Sequence, residues 1–297
     1  MKLGGLLRMT NRVKMLNKLR LGSIQFINSL PVDLGILSGA VAADAQITQS
    51  TPSALNQKIL QGELEVSPVS AFWYAKHHKE LLLFPDLSIS SESGVQSVLL
   101  FSRCPIKDLK GKKIGLTGKG RTTPVLLEIL CRSKYGFAPQ FAGCGSFLPG
   151  VPEDLDAVLL IGDEALLAKR HWKEGSWGAF DLAREWRDWT GLPIVFAVWA
   201  VRRDVFLFWP EKIAALHKAL LKSKAWGAGH PGEVIQKAQE KTELPREILT
   251  AYFSGLSFDF DEKLKSGMRR FFKEASRCGL LSGAPEIEEI KEVLTTS

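Results

Sequence analysis

The sequence predicts an α/β protein with two lobes and a ligand cleft between them. Short apolar strands alternate with helix-start signals from residue 21 to residue 201. At 297 residues the chain is also longer than a single hydrophobic core usually supports, so we expect two domains. Polar and basic runs near residues 103 and 202 mark two crossovers, so the last segment returns to the first lobe. We therefore assign residues 21–102 and 203–297 to lobe 1 and residues 103–202 to lobe 2.

The net charge of +7 is concentrated at the start of the chain. Residues 1–20 contain six basic residues and no acidic one, so the rest of the chain is nearly neutral. A basic segment of this kind is typical of a disordered extension, and we assign residues 1–20 to one. A nucleic-acid partner would depend on this segment alone, so we expect none.

Other sequence features limit the classes of protein to which this chain can belong. Residues 1–20 lack the continuous apolar stretch of a secretion signal, and no segment approaches the roughly 18 apolar residues of a membrane span. The four cysteines are widely spaced, with no C-x-x-C pair and no cysteine–histidine cluster. We expect a cytoplasmic protein with reduced thiols, no metal site and no membrane insertion.

The first strand-to-helix unit is Leu21–Pro31, which reads LGSIQFINSLP. Apolar residues in its first half predict a short buried strand, and Pro31 fits the first turn of a helix. Asn28 and Ser29 lie between the two, where several backbone N–H groups lack partners at the positive end of a helix dipole. This arrangement suits an anionic ligand. The alternative is an ordinary turn in which Ser29 caps the helix.

The same arrangement recurs twice in lobe 1. A strand at 45–48 runs into Ser50 and Thr51, and a strand at 63–66 runs into Ser70. Because strand ends and helix starts converge in an open α/β sheet, these hydroxyls are expected to line one cleft. Helix capping is the alternative for each of them.

Further hydroxyls lie at the junction of the lobes and in lobe 2. Ser97 lies inside a predicted strand with apolar neighbours, where a hydroxyl needs a hydrogen-bond partner or a cavity. A strand at 113–117 then runs into a glycine-rich loop and a helix that begins near Thr122 and Thr123. The loop lacks the spacing of a nucleotide phosphate loop. Its helix start can still hold a carboxylate, with Thr123 as the predicted N-cap.

Two further strands complete the α/β part of the sequence. A buried strand at 156–161 is followed by Gly162 and by Asp163, which is a natural helix cap. The strand at 193–201 is apolar throughout, which indicates burial on both faces, and helical patterns follow from residue 210. A discontinuous first lobe with an inserted second lobe is the plan of type II periplasmic binding proteins, whose lobes close on a ligand.

Five segments in order extend these expectations by resemblance. They are SIQFINSLP (23–31), PSALNQKILQGELEVSPVS (52–70), LFPDLSISSESGVQSVLLFS (83–102), AVLLIGDEAL (157–166) and FDLAREWRDWTGLPIVFAVWAVRRD (180–204). Together they resemble the chorismate dehydratase family, the first enzymes of the futalosine route to menaquinone, from about Leu21 to the C-terminus. The resemblance implies a periplasmic-binding-protein-like fold and dehydration of chorismate to 3-[(1-carboxyvinyl)oxy]benzoate, without metal or organic cofactor.

The resemblance also implies roles for individual residues. In this family the enolpyruvyl carboxylate of the substrate takes the proton, and the matching motif positions place the catalytic residues at Asn28 and Ser97. The residues expected to hold the substrate carboxylates, together with local backbone N–H groups, are Ser50, Thr51, Ser70, Thr122 and Thr123. Gly162 and Asp163 are also expected to bind the substrate. Gly120 departs from the family pattern, because many members have a serine there. A small-molecule substrate is thus the expected partner, bound by a monomer or a homodimer.

Two alternatives stay open at the level of sequence. The sister enzyme, 1,4-dihydroxy-6-naphthoate synthase, shares the fold and the pathway, but its start motif differs and its expected histidine base cannot be placed here. A solute-binding protein also shares the fold, and the absence of a recognisable secretion signal argues against it.

Overall fold

A computed structural model describes residues 18–118, 120–145, 154–171 and 177–290. Most of the basic extension predicted for residues 1–20 therefore lies outside the described residues. Its last residues do not belong to an extension, because the first strand already begins at Leu19. The guanidinium of Arg20 pairs there with the buried carboxylate of Glu65, and this ion pair explains why a basic residue lies in a sheet.

The described residues form ten strands in two five-stranded sheets. The strands are β1 (Leu19–Ile24), β2 (Ala45–Ser50), β3 (Val66–Ser70), β4 (Leu81–Ser91), β5 (Val98–Ser102), β6 (Lys113–Leu116), β7 (Gln140–Gly143), β8 (Ala157–Ile161), β9 (Gly178–Asp181) and β10 (Ile194–Arg202). The spatial order is β2-β1-β3-β10-β4 in sheet A and β7-β6-β8-β5-β9 in sheet B. In each sheet the first three strands run parallel, and the fourth is antiparallel to both of its neighbours.

Eleven α-helices are present in the described part of the chain. They are α1 (Leu30–Leu37), α2 (Pro52–Leu60), α3 (Ala71–His77), α4 (Thr122–Ile129), α5 (Asp163–His171), α6 (Leu182–Thr190), α7 (Arg203–Phe208), α8 (Pro210–Gly229), α9 (Pro231–Thr242), α10 (Arg246–Ser254) and α11 (Glu262–Arg277). Each of α1 to α5 follows a strand of a parallel set, so helix starts and carboxyl strand ends meet between the sheets. The predicted two-lobed α/β fold is confirmed.

The predicted positions of the two crossovers are wrong. Strand β5 was assigned to lobe 1 and pairs instead with β8 and β9 in sheet B. Strand β10 was assigned to lobe 2 and pairs instead with β3 and β4 in sheet A. Both strands are buried on both faces, so an apolar pattern fits the middle of either sheet. The polar runs near 103 and 202 follow these strands, whereas the chain changes lobe before them.

Sheet A also differs from the sequence prediction at β3. Residues 67–70 were predicted as a loop with hydroxyls between the strand at 63–66 and the following helix, and Pro68 cannot donate a ladder hydrogen bond. They form the strand itself, and Pro68 lies opposite Trp199 of β10. The registered pairing of β3 with β1 is limited to Val66 and Leu21. The missing N–H of Pro68 therefore interrupts no hydrogen bond between these two strands.

The core is dominated by large aromatic and aliphatic side chains. Trp186, Trp199 and Tyr252 are fully buried, and the indole Nε1 of Trp186 donates to the carbonyl of Pro193 at 3.1 Å. Side chains of this size each contribute about 1.5–3 kcal/mol on burial. Helix α8 packs closely on α1, because a Cβ at Gly227 would lie only 2.1 Å from the carbonyl oxygen of Pro31. In the described part of the chain, no helix is long and apolar enough to cross a membrane.

Candidate active site

A cavity opens where the carboxyl ends of the parallel strands face each other across the two lobes. It encloses about 610 Å³ of empty space, a figure that includes open solvent at its mouth. Most of its wall is apolar, from Ile24, Phe26, Pro52, Pro68, Val69, Ile89, Val95, Val98, Ile161, Phe196, Ala197 and Leu256. Its polar groups are few: Asn28, Ser70, Ser97, Arg121, Thr122 and Thr123. Such a wall suits a ring-shaped molecule with a small number of polar substituents.

Asn28 lies in the turn that joins β1 to α1. Residues 27–29 form one turn of 3-10 helix, and Asn28 projects into the cavity from its middle. The Oδ1 atom of Asn28 is buried and has no hydrogen-bond partner among the described residues. A buried amide oxygen without a partner costs stability, so this group is available for a ligand donor.

Ser29 stabilises the turn in a way that differs from the capping alternative. Its side chain makes no cap hydrogen bond to α1; the hydroxyl donates back to the carbonyl of Ile24 at 2.9 Å. Beneath the turn, the hydroxyl of Ser23 donates to the carboxylate of Asp33 at 2.6 Å. Complete burial raises the pKa of Asp33 to about 6, while hydrogen bonds from Ser23 and Ser29 oppose the rise. The Asn28 turn therefore rests on a buried, unusually weakly acidic carboxyl group.

Ser97 lies directly before β5, at the crossing from sheet A to sheet B. The preceding residue, Gln96, has a left-handed backbone with φ of 56°. This conformation is held because the backbone N–H groups of Val95 and Gln96 both donate to Oδ2 of Asp181 at 2.8 Å. On the other side, the N–H of Gly162 donates to the carbonyl of Ser97 at 2.8 Å. The backbone of Ser97 is thus fixed from two directions beside the cavity.

The start of α4 supplies the polar wall of lobe 2. Thr123 was predicted as the N-cap, but the N-cap is Arg121, and the hydroxyl of Thr123 is buried without a partner in the described part of the chain. The hydroxyl of Thr122 already has two hydrogen-bond partners. It accepts from the N–H of Phe72 at 3.2 Å and donates to the carbonyl of Phe196 at 3.0 Å. Thr122 therefore ties lobe 2 to lobe 1, and Thr123 remains available to a ligand.

Among the described residues that line the cavity, the charged one is Arg121. It was not predicted from the sequence as a site residue. Its side chain is exposed and has neither a hydrogen bond nor an ion pair with a described residue. A free guanidinium at a helix start complements a carboxylate. Its position directly after Gly120 is the signal that could have identified it.

The predicted lobe 1 hydroxyls are only partly brought together. Ser70 lines the cavity, held by Asn56, whose Oδ1 accepts from the Ser70 N–H at 3.1 Å and whose Nδ2 donates to its hydroxyl at 3.2 Å. Ser50 and Thr51 lie outside the cavity wall. The Thr51 hydroxyl caps α2 by accepting from Ala54 N–H at 3.3 Å, so the capping alternative is correct there. Asn56 was missed because it acts through its contact with Ser70.

Gly162 and Asp163 join the two lobes at the edge of the cavity. Gly162 has φ of 63°, and a Cβ there would lie 2.9 Å from the ring of Phe26. Asp163 does not line the cavity; its Oδ1 accepts from the backbone N–H of Ile27 at 3.0 Å. This bond crosses from lobe 2 to the turn that carries Asn28, so Asp163 positions the turn.

Comparisons with known proteins agree with this architecture. A family described as Menaquinone biosynthesis matches residues 19–277. A chorismate dehydratase from Thermus thermophilus is 30% identical over 239 residues, covering 76% of this chain and 85% of that protein. A 1,4-dihydroxy-6-naphtoate synthase from the same organism is 27% identical over 242 residues, covering 78% and 83% respectively.

Solved structures show the same fold at lower identity. A crystal structure of an Archaeoglobus fulgidus protein superposes with a TM-score of 0.73 at 20% identity, covering 89% of this chain and 98% of that one. An alkanesulfonate-binding protein from Xanthomonas axonopodis superposes with a TM-score of 0.66 at 13% identity, covering 92% and 96%. The fold is that of periplasmic binding proteins, and the chain belongs to the chorismate dehydratase-like family of menaquinone biosynthesis.

Proposed function

We propose that this protein is a chorismate dehydratase, which converts chorismate to 3-[(1-carboxyvinyl)oxy]benzoate and water. The observation that carries the proposal is an apolar cavity whose polar groups include the unpartnered amide oxygen of Asn28, Ser97 with its fixed backbone, and the cation of Arg121. Membership of the family and the similarity to a chorismate dehydratase support it.

The shape and charge of chorismate match the wall of this cavity. The substrate has a six-membered ring, one hydroxyl and two carboxylates, and the apolar wall between Phe26 and Phe196 suits the ring. One carboxylate would lie at the start of α4, between Arg121 and the hydroxyl of Thr123. Ser70, on the opposite lobe, is the hydroxyl available to the second carboxylate.

The reaction itself needs little from the protein. The ring carbon that bears the enolpyruvyl group loses a proton to the enolpyruvyl carboxylate, and its electron pair forms the last double bond of the aromatic ring. The carbon–oxygen bond of the neighbouring hydroxyl breaks, and the departing hydroxide takes up the proton held by the enolpyruvyl carboxylate, so that water forms and the carboxylate is restored. The carbonyl and amide groups of Asn28 hold the hydroxyl, and Ser97 donates to the departing oxygen. Orientation and hydrogen bonding of this kind supply the rate enhancement, because aromatisation supplies the driving force.

The alternative activity is that of a 1,4-dihydroxy-6-naphthoate synthase, to which the chain is 27% identical. That enzyme is expected to use a histidine base. Among the described residues that line the cavity, the titratable side chain is Arg121 rather than a histidine. The cavity therefore favours the dehydratase.

Incubation of the purified protein with chorismate tests the proposal directly. We expect a new benzoate product, separated by chromatography and identified by mass, with loss of one water from the substrate. A control with heat-denatured protein corrects for spontaneous breakdown of chorismate. No product above that control, with binding of chorismate or of another small anion intact, would leave a solute-binding protein as the better description.

A further inference from the structure

Asn56 is a buried polar side chain that lies behind the cavity wall and takes no part in the reaction steps described above. It projects from α2, is only 1% exposed and does not itself line the cavity. Its side chain contacts Ser70 twice: Oδ1 accepts from the backbone N–H at 3.1 Å, and Nδ2 donates to the hydroxyl at 3.2 Å. Because Ser70 does line the cavity, this contact connects Asn56 to a bound ligand.

The orientation of the Asn56 amide follows from the chemistry of its partner. A backbone N–H can only donate, so the side-chain atom that faces the N–H of Ser70 has to be the oxygen. The atom that faces the hydroxyl of Ser70 is then the nitrogen, which also can only donate. The hydroxyl of Ser70 is therefore an acceptor towards Asn56, and its own proton is not used in this contact.

The proton of the Ser70 hydroxyl has no acceptor among the described residues. Ser70 is the N-cap residue of α3, yet its side chain makes no cap hydrogen bond, and the bond from Asn56 is the one that its hydroxyl makes in this part of the chain. Thr51, the N-cap residue of α2, shows the ordinary case, because its hydroxyl is used within its own helix. A buried hydroxyl proton without an acceptor costs stability, and the space next to it is the cavity.

We propose that Asn56 is a positioning residue that makes Ser70 a hydrogen-bond donor towards the cavity. With the oxygen of Ser70 engaged by the amide of Asn56, the hydroxyl proton points at the bound molecule and not back into lobe 1. The lobe 1 side of the cavity therefore selects a group that accepts hydrogen bonds, such as a carboxylate, over a group that donates them. That this group is the second carboxylate of chorismate rests on the proposed function, whereas the direction of the hydroxyl proton does not.

The substitution Asn56→Asp reverses this arrangement while nearly retaining the shape of the side chain. One oxygen of the introduced carboxylate still accepts from the N–H of Ser70, but the other cannot donate to the hydroxyl. The hydroxyl of Ser70 then donates to the introduced carboxylate and turns its lone pairs to the cavity. Both donors of Ser70 stabilise the charged form of the introduced group, and measurement at about pH 8.5 keeps it ionised.

A double-mutant cycle on ligand binding tests the proposal without turnover. The probe is 3-(carboxymethoxy)benzoate, a stable dicarboxylate with the ring and the ether oxygen of the proposed product, and calorimetry gives its dissociation constant. We expect Asn56→Asp to weaken binding about 100-fold in the wild-type background and about tenfold in a Ser70→Ala background. The added charge acts in both backgrounds, whereas the turned hydroxyl acts only in the first. An equal loss in both backgrounds would overturn the proposal.

Two further variants complete the test. Gln57→Glu is the matched control, because it introduces the same charge at an exposed position of α2, and it should leave the dissociation constant within about twofold. Asn56→Ala replaces Asn56→Asp if circular dichroism shows that the buried charge prevents folding. It frees the hydroxyl of Ser70 to rotate, so binding should weaken about fivefold, and this loss should vanish in the Ser70→Ala background. A loss that persists there would show that Asn56 only supports the backbone of Ser70.

The two proposals fail separately. A wild-type protein that binds the dicarboxylate but does not turn over chorismate would refute the proposed function, and the cycle would still decide the role of Asn56. Turnover of chorismate with equal losses in the cycle would refute the role of Asn56 alone. Absence of dicarboxylate binding by the wild-type protein would overturn the selection of an accepting group by Ser70.

Discussion

Replacing Asp33 by asparagine should change how the stability of the protein depends on pH. Asp33 is 4% exposed and lies beneath the Asn28 turn, where Ser23 donates to its carboxylate at 2.6 Å. Asparagine has nearly the same shape and keeps an oxygen that can accept this bond. The substitution therefore removes the titration while retaining most of the packing.

The magnitude follows from the pKa of the buried carboxyl group. Burial raises the pKa of Asp33 from 3.8 to about 6. Between these values the folded protein holds a proton that the unfolded chain has lost, so the free energy of unfolding falls as pH rises. The full contribution is about 3 kcal/mol at about 1.36 kcal/mol per pKa unit, and about 2 kcal/mol of it falls between pH 4.5 and 7.5. The nearby ammonium of Lys241 lowers the pKa and is included in this value.

Urea unfolding at several pH values between 4.5 and 7.5 measures the effect. The difference in unfolding free energy between wild type and Asp33→Asn should shift by about 2 kcal/mol in favour of the variant as pH rises. Asp44→Asn, at an exposed position in the same lobe, controls for the loss of a carboxylate. A difference between wild type and Asp33→Asn that does not vary with pH would refute the argument from burial.

Three further substitutions test the site. Asn28→Ala should lower kcat by about 100-fold with an unchanged circular dichroism spectrum; unchanged turnover of chorismate would remove Asn28 from the mechanism. Arg121→Gln should raise KM about tenfold with little change in kcat, whereas Lys110→Gln, at an exposed position away from the cavity wall, should leave both constants alone. Gly162→Ala should lower the melting temperature more than Gly136→Ala, because both glycines have positive φ but only the first has an aromatic ring within 3 Å of the new methyl group. Equal losses would show that backbone strain alone matters.

The sequence predicted the parts of the site that depend on local pattern. Small polar residues at the ends of apolar strands identified Asn28, Ser70 and Thr123, and the parallel strands bring all three to one cavity. The same rule also selected Thr51, where the hydroxyl is used within its own helix. A strand-to-helix junction shows that a polar group lies near the cleft, but it does not show which way the side chain turns.

Residues that act through long-range contacts could not be predicted from local pattern. Asp163 positions the Asn28 turn by accepting from the N–H of Ile27, a residue 136 positions earlier in the chain, and nothing in its own segment indicates that contact. Arg121 was assigned to a glycine-rich loop and not to the site, because a lone arginine among glycines carries no periodic signal. The lobe assignments of β5 and β10 failed for a similar reason, since strand partners in the middle of a sheet are chosen by the whole topology.

The insertion of β10 between β3 and β4 also constrains how the chain can fold. During synthesis, β4 has no partner in sheet A until residue 202 has emerged, although β4 itself ends at Ser91. The residues that pair between β4 and β10 are more than 100 positions apart, and non-local pairing of this kind slows folding. In the meantime the nascent chain carries open edges on β3 and β4, the kind of surface that pairs with other chains. We expect truncated forms that stop before β10 to aggregate, and chaperone dependence to be greatest just before this strand is complete.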